Sequence, residues 1–383
     1  MSKNLRIGFT AAAVALALTS SVRAADVVKI GVNVPQTGFA AADGKSALTG
    51  IQLAVEKANA NNGINGKQIE LIVYDDQASP KNSVPIATKL ANKDKVAVAI
   101  SGSYSSPTRA AAGVFQRSKV PYISAFAVHP DITRAGNYVF RTSFVAEVQG
   151  RAAAKLVGQD LGKKRVVITV LKNDYGKALA AGFNSVAAKY GIEVVNSYEY
   201  SIKDRQFGPI VSSIKNDNPD AIFDTGYWFV SAALVSQLRA GDVKAQIVGQ
   251  EGYDGEKFIE IAKGAAEGVI ITTSLDRDSA DADVKAFMTA FKAKAGYAAD
   301  MVGASGNTAA RVAIAALRAA KSTDHEAVRN AIAAVKVDAV TGKISFNALG
   351  EVFKNVQVQI VKDGAWHRHS IIDDPELLAP PSK

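Results

Sequence analysis

The residues best placed to do chemistry are hydroxyls. Ser101, Ser103, Ser105, Ser106 and Thr108 cluster in V-A-V-A-I-S-G-S-Y-S-S-P-T-R, from Val96 to Arg109. The apolar run Val96–Ile100 reads as a buried parallel strand, and R-A-A-A-G-V-F-Q as the helix that follows it. Hydroxyl residues before Pro107 make a helix start, with Pro107 at the first helical position. Free backbone N–H groups and the helix dipole make such a start a ready anion site. In an open α/β sheet, ligands sit where strands end and helices begin. Ser105, Ser106 and Thr108 are therefore expected to receive the carboxylate of a small ligand. A capped turn with no ligand would use the same residues.

Three further positions follow later strands. Tyr175 follows R-V-V-I-T-V-L-K-N-D, Tyr227 follows A-I-F-D-T, and Glu251 follows A-Q-I-V. Two tyrosines offer flat apolar faces with a hydroxyl, and a glutamate can hold a cation. Each alone fits a structural role; together, on one sheet edge, they point to a site.

Other chemistry finds little support. The sequence has four histidines and no cysteine, and His367-Arg368-His369 reads as an exposed strand end rather than a metal chelate. No metal and no cofactor is expected. There is no G-x-S-x-G elbow, since Gly102-Ser103-Tyr104-Ser105-Ser106 lacks the second glycine. A hydrolase built on Ser103 or Ser105 would have to use His129 as base. No phosphate loop or G-x-G-x-x-G follows a strand. Asp75-Asp76, at a strand end before Pro80, reads as turn and cap duty rather than as a pair of catalytic carboxylates.

These residues need elements to hold them. Lys3 and Arg6, the apolar run from Ile7 to Leu18, and Val22-Arg23-Ala24 make a secretory signal peptide over residues 1–24. No later stretch reaches the roughly 18 uninterrupted apolar residues of a spanning helix. The chain is thus expected to be exported. The formal charge of +9 includes three leader cations, leaving +6 scattered among acids. A nucleic-acid partner requires a clustered stripe, so none is expected.

From Val27 onward strand and helix alternate. Strands are expected at Val27–Val34, Gln68–Tyr74, the Val96 run, Val120–Phe126 and Tyr138–Ser143, with Pro35–Ser46 a flexible loop. After Ser143 the series restarts and runs to Glu267–Thr273. Three helices then precede a β section at Gly342–Trp366. The fold class is α/β, with two doubly wound parallel-sheet lobes joined by a multi-crossing hinge. The expected division is 25–143 with about 274–347 as one lobe, and 144–273 with about 348–383 as the other.

The chain resembles the periplasmic solute-binding proteins of branched-chain amino acid ABC transporters, with the type I periplasmic binding fold. The likeness spans the chain after the leader. It rests on T-G-I-Q-L-A-V-E-K-A-N-A-N-N-G-I-N-G-K from Thr49, and on Val73-Tyr74-Asp75-Asp76 with Pro80-Lys81. Phe140-Arg141-Thr142, Asp174-Tyr175-Gly176, Gly226-Tyr227 and Gly249-Gln250-Glu251-Gly252 complete it.

The resemblance implies a non-enzymatic binding protein. It places the ligand carboxylate on Ser105 and Ser106, and completes that wall with Phe126, Ala127 and Val128. Tyr175 and Tyr227 close from the second lobe, and Glu251 pairs with the α-ammonium. It further implies a periplasmic monomer that delivers ligand to permease subunits at the inner membrane. Relatives often carry threonine at Val128 and an acid at Ala146, and some carry a cysteine pair that would fall on Ala78 and Tyr104. Here these groups are missing, while Tyr104, Phe126, Trp228 and Phe229 enrich the cleft in rings. An aliphatic amino acid and an aromatic or keto carboxylate, or an amide, both remain open as ligand. A sensing subunit would look the same. Asp43 in the first loop, Tyr104 and Trp228 are the expected specificity positions.

Overall fold

The structure, a computed structural model, describes residues 27–381, so the expected leader lies outside the described residues. β1 (Val28–Val34), α1 (Ala41–Ala60), β2 (Ile69–Asp75), α2 (Pro80–Lys89), β3 (Val98–Ser101), α3 (Ser105–Arg117), β4 (Tyr122–Ser124) and β5 (Val139–Arg141) build the first sheet and its cover. Its order is β2-β1-β3-β4-β5, every pairing parallel. β1 and β3 are mostly apolar and almost wholly buried, as expected of strands covered by helices on both faces.

The series then restarts with α4 (Ala146–Lys155), β6 (Arg165–Leu171), α5 (Asp174–Val186), β7 (Glu193–Tyr200), α6 (Gly208–Asp217) and β8 (Ala221–Asp224). It continues through α7 (Trp228–Ala240), β9 (Gln246–Gly249), α8 (Glu256–Ala262) and β10 (Ile270–Thr273). The tail packs back in two places. α9 (Ala282–Ala295) and α10 (Met301–Ala320) lie against α1, followed by α11 (His325–Ala334) and the hairpin of β11 (Val337–Ala339) and β12 (Gly342–Ile344). β13 (Val356–Lys362) and β14 (Ala365–Ile372) join the second sheet, whose order is β14-β13-β10-β9-β8-β6-β7. α12 (Pro375–Leu378) ends the described chain against α4. The second sheet is therefore mixed: β13 and β14 pair antiparallel at one edge. No described helix is long and apolar enough to cross a membrane.

Two expectations are corrected. The stretch 35–46 is not wholly loop, because α1 already begins at Ala41. Gly44 is a close-packing position there: a Cβ would stand 1.6 Å from the Pro35 carbonyl oxygen. Likewise α3 begins at Ser105, with Tyr104 before it, so Pro107 is its third residue. Farther along α1, a Cβ on Gly50 would stand 1.9 Å from the Gly303 carbonyl oxygen of α10, so these helices touch backbone to backbone.

The chain passes between the two sheets at 142–145, 274–281 and 345–355. One buried ion pair ties the last of these passages to the first sheet. Arg141 donates through Nε to Glu351 Oε2 at 2.9 Å and through Nη2 to Oε1 at 2.6 Å. Its Nη1 also donates to the carbonyls of Ala127 (3.2 Å) and His129 (2.9 Å), and Nη2 to Thr133 Oγ1 (3.2 Å). Neither side chain of the pair reaches solvent appreciably, at 0 % and 2 % exposure. Removing one partner strands the other charge in low dielectric. Arg141→Ala is expected to lower unfolding free energy by about 3–5 kcal/mol, read from the denaturant midpoint. Arg141→Met combined with Glu351→Leu should recover most of that loss.

Candidate functional site

The ends of β3, β4, β6, β8 and β9 converge on a cleft between the two sheets. A narrow pocket of about 20 Å³ lies there. From the first sheet it is lined by Tyr104 and Ser105 at the start of α3, by Phe126 and Ala127 after β4, and by Asp43 of α1. From the second come Tyr175, Tyr227, Trp228, Glu251, Gly252 and Asp254. Met301 and Val302, the first residues of α10, complete it.

Nine of the twelve expected binding and specificity residues thus meet in one cleft: Asp43, Tyr104, Ser105, Phe126, Ala127, Tyr175, Tyr227, Trp228 and Glu251. Ser106 and Val128 are not in its lining. Ser106 Oγ donates to Asp174 Oδ2 across the cleft at 3.2 Å. The Val128 N–H donates to Ser105 Oγ at 3.3 Å, so Val128 acts through its backbone. Thr108 is also diverted: its hydroxyl lies 2.6 Å from Ser101 Oγ and donates to the Ser103 carbonyl, inside the first lobe. The Thr108 N–H closes the first turn on the Tyr104 carbonyl, leaving the N–H groups ahead of it without an intrahelical acceptor. Of the three hydroxyls expected to receive a carboxylate, Ser105 alone lines the cleft.

Two strand-end aspartates hold the loops in place. In the first sheet Asp76 accepts from Asn33 Nδ2 (2.9 Å), Ser83 Oγ (3.0 Å) and Ser103 Oγ (3.0 Å). In the second, Asp224 accepts from Thr169 Oγ1 (2.6 Å), Tyr200 OH (2.9 Å), Ser231 Oγ (2.5 Å) and Tyr253 OH (2.5 Å). Gln250 then ties three loops together. It accepts from the Gly252 N–H at 2.6 Å and from the Tyr175 hydroxyl, and donates to the Gly226 carbonyl at 2.7 Å. Glu251, Tyr175 and Tyr227 are positioned by this knot.

Rings from both sheets stack in the cleft. Tyr104 lies on Tyr227 at 4.6 Å between centroids, and Tyr227 on Tyr175 at 4.8 Å. Burial raises the phenol pKa of all three, so they remain neutral donors. Asp43 Oδ1 accepts from Trp228 Nε1 at 2.9 Å, and Oδ2 from Tyr104 OH at 2.5 Å. At the rim, Arg109 Nη2 meets Asp174 Oδ2 at 2.9 Å. The surfaces of the cleft are already in contact.

Glu251 is the electrostatic outlier. It is 3 % exposed, and its Oε2 has no hydrogen-bond partner. Burial pushes its carboxyl up to about 8, against the opposing pull of Gln149 and the Lys354 ammonium. The Gln149 amide faces Glu251 but makes no hydrogen bond of normal length. Lys354 donates to Thr341 Oγ1 at 3.2 Å, and burial brings it down to about 7. At the start of α10, burial likewise raises Asp300 to about 7. Sequence reasoning located this helix but missed that its first turn faces the ligand cleft; an aspartate N-cap beside a strand-end cluster was the available signal.

The hydrolase arrangement does not form. Ser103 donates to Asp76, and the His129 Nδ1 accepts from the Asp131 N–H at 3.2 Å. Among the described residues no hydrogen bond joins His129 to Ser103 or Ser105.

The sequence profile of the periplasmic binding proteins matches residues 27–365. The Leu/Ile/Val-binding protein of Citrobacter freundii is 30% identical over 367 residues, spanning 95% of this chain and 97% of its own. A leucine binding protein from Thermotoga maritima superposes with a TM-score of 0.85 at 28% identity, covering 91% of this chain and 100% of that one. An isoleucine-bound branched-chain amino acid transporter substrate binding protein from Streptococcus pneumoniae does so at 0.83 and 27%, covering 90% and 98%. With its two α/β sheets and the cleft between them, this chain belongs to the periplasmic binding protein family.

Proposed function

We propose that the protein captures a branched-chain or other aliphatic amino acid between its lobes and delivers it, chemically unchanged, to the permease of an ABC importer. Relatives named for leucine, isoleucine and valine binding align over nearly the whole chain, which supports this class. The observation that carries the reading is Glu251: a buried carboxylate oxygen with no partner, in the lining of the same cleft as Ser105. A zwitterion answers both ends, its carboxylate at the α3 start and its ammonium at Glu251. The moving bodies would be 25–143 with about 274–347, and 144–273 with about 348–383, closing by hinge bending. The protein would act as a periplasmic monomer after removal of the leader, with no catalytic step.

One observation favours a second reading. The Tyr104–Tyr227–Tyr175 stack, with Val128 and Ala146 lacking polar side chains, suits an aromatic or keto carboxylate. Thermal shifts of the ligand-stripped protein separate the two. Ligand at about 100 times its Kd adds roughly 2.7 kcal/mol. Stabilisation by L-leucine and L-valine supports the first reading, and stabilisation by benzoate or aryl keto acids alone replaces it.

Glu251→Gln should weaken amino acid binding by about 3 kcal/mol, roughly a hundredfold, because the buried ammonium loses its charge partner. Unchanged affinity by calorimetry would remove Glu251 from the ammonium site.

The pH dependence follows in sign. Ligand-free Glu251 is protonated below about 8, while an ammonium partner requires the carboxylate. Binding therefore releases a proton, and affinity should rise with pH by up to about tenfold per unit below 8 and then flatten. Without ligand, the folded state holds more protons than the unfolded chain between the ordinary 4.5 and about 8. The Glu251 contribution to stability is thus present at low pH and lost as pH rises through that window. Thermal melts of wild type and Glu251→Gln across pH 5–9 test this, the variant lacking that slope.

A further inference from the structure

We infer that Arg109 and Asp174 form a latch across the cleft rim that sets how long a captured ligand stays, without touching the ligand. The inference rests on the reading above that the lobes close around a ligand, and adds the groups that govern its release.

Arg109 belongs to α3 of the first lobe and Asp174 to the first turn of α5 in the second. Arg109 Nη2 lies 2.9 Å from Asp174 Oδ2, and Ser106 Oγ, one turn earlier on α3, donates to the same oxygen at 3.2 Å. Ser106 is therefore engaged by the opposite lobe rather than by the cleft. None of these three residues lines the cleft pocket. Their contacts nevertheless join the two helices that carry Ser105 and Tyr175, so parting of those helices breaks them.

A latch needs somewhere to keep its arginine when the lobes are apart, and the first lobe supplies it. Asp131, in the loop after β4, has Oδ2 3.6 Å from Arg109 Nη1. Its Oδ1 accepts from Arg134 Nη1 at 3.5 Å, and Arg134 Nη2 stands 4.0 Å from Glu147 Oε1 of α4. Two first-lobe arginines thus share one acid of their own lobe, and each also meets an acid of the other. Separation leaves Arg109 with Asp131 in place of both acids, so the guanidinium keeps a partner and loses only the shorter contact. All five side chains are a third to a half exposed. Such pairs are screened and individually weak, as suits a contact that breaks at each release. The Arg109–Asp174 pair forms only once the lobes have met, so it acts on dissociation rather than on encounter.

Stopped-flow kinetics on the ligand-stripped protein test this, with L-leucine and benzoate as probes and Trp228, in the pocket lining, as fluorophore. Arg109→Gln and Asp174→Asn should each raise the dissociation rate about threefold and leave the association rate unchanged. Because both act through one contact, the double variant should release no faster than either single one. Unchanged dissociation, or losses that multiply in the double variant, overturn the latch. If benzoate binds and L-leucine does not, the aliphatic reading fails and the latch is judged on the benzoate rates. If neither binds, the ligand reading fails and the latch is judged without one. The sequence has no cysteine, so spin labels on Lys81→Cys and Lys203→Cys, exposed positions past β2 and β7, report the width of the cleft mouth. Asp174→Asn should deplete the short distances present in wild type; identical distance distributions overturn the inference.

Discussion

The geometry of the first-lobe wall depends on one guanidinium. Arg141, at the end of β5, is wholly buried and uses its planar fork on Glu351 while reaching the carbonyls of Ala127 and His129. A lysine could not do this, since a single ammonium cannot present parallel donors to a carboxylate and still reach two carbonyls in other directions. The effect is local and directional. The loop bearing Phe126, Ala127 and Val128 has its backbone acceptors pinned, so the Val128 N–H is held where it meets Ser105. Because Glu351 belongs to a passage between the sheets, the loop after β4 and that passage share one charge pair.

The second lobe reaches the same end without an ion pair. Asp224 closes β8 with four hydroxyl donors from four segments, besides the Gly226 N–H. Hydrogen bonds to a charged acceptor are stronger than neutral ones, and each fixes the end of a different loop. Asp76 does the corresponding work beside β3. Each lobe therefore anchors its binding loops on a buried carboxylate beneath them, and leaves the groups above free to face a ligand.

This arrangement explains what was legible in the sequence. Parallel strands announce themselves as apolar runs, and their C-terminal ends say where Tyr175, Tyr227 and Glu251 must gather, so that edge was readable. What depends on distant approach was not. Gly44 looks like loop flexibility, yet it is the space that Pro35 needs, and with it Asp43 moves from a loop onto a helix. Thr108 has the right type and spacing for an anion, but Ser101 and Ser103 claim its hydroxyl from below. Arg141 and Glu351 stand 210 residues apart, and β13 and β14 find an antiparallel edge that no local pattern specifies.

The cleft poses a problem of balance. Arg109–Asp174, Asp43–Trp228 and the Tyr104–Tyr227 stack join the two sheets across the cleft. Were these the only terms, closure would be indifferent to a ligand. A ligand shifts such an equilibrium only by its differential affinity for the two states. The buried acids supply that difference. Glu251 is buried with an oxygen unpaired, and Asp43 is buried beside neutral donors alone. Both are costs of closure that positive or donor groups on a ligand would relieve. The rings make the lobes fit; the carboxylates make the fit conditional.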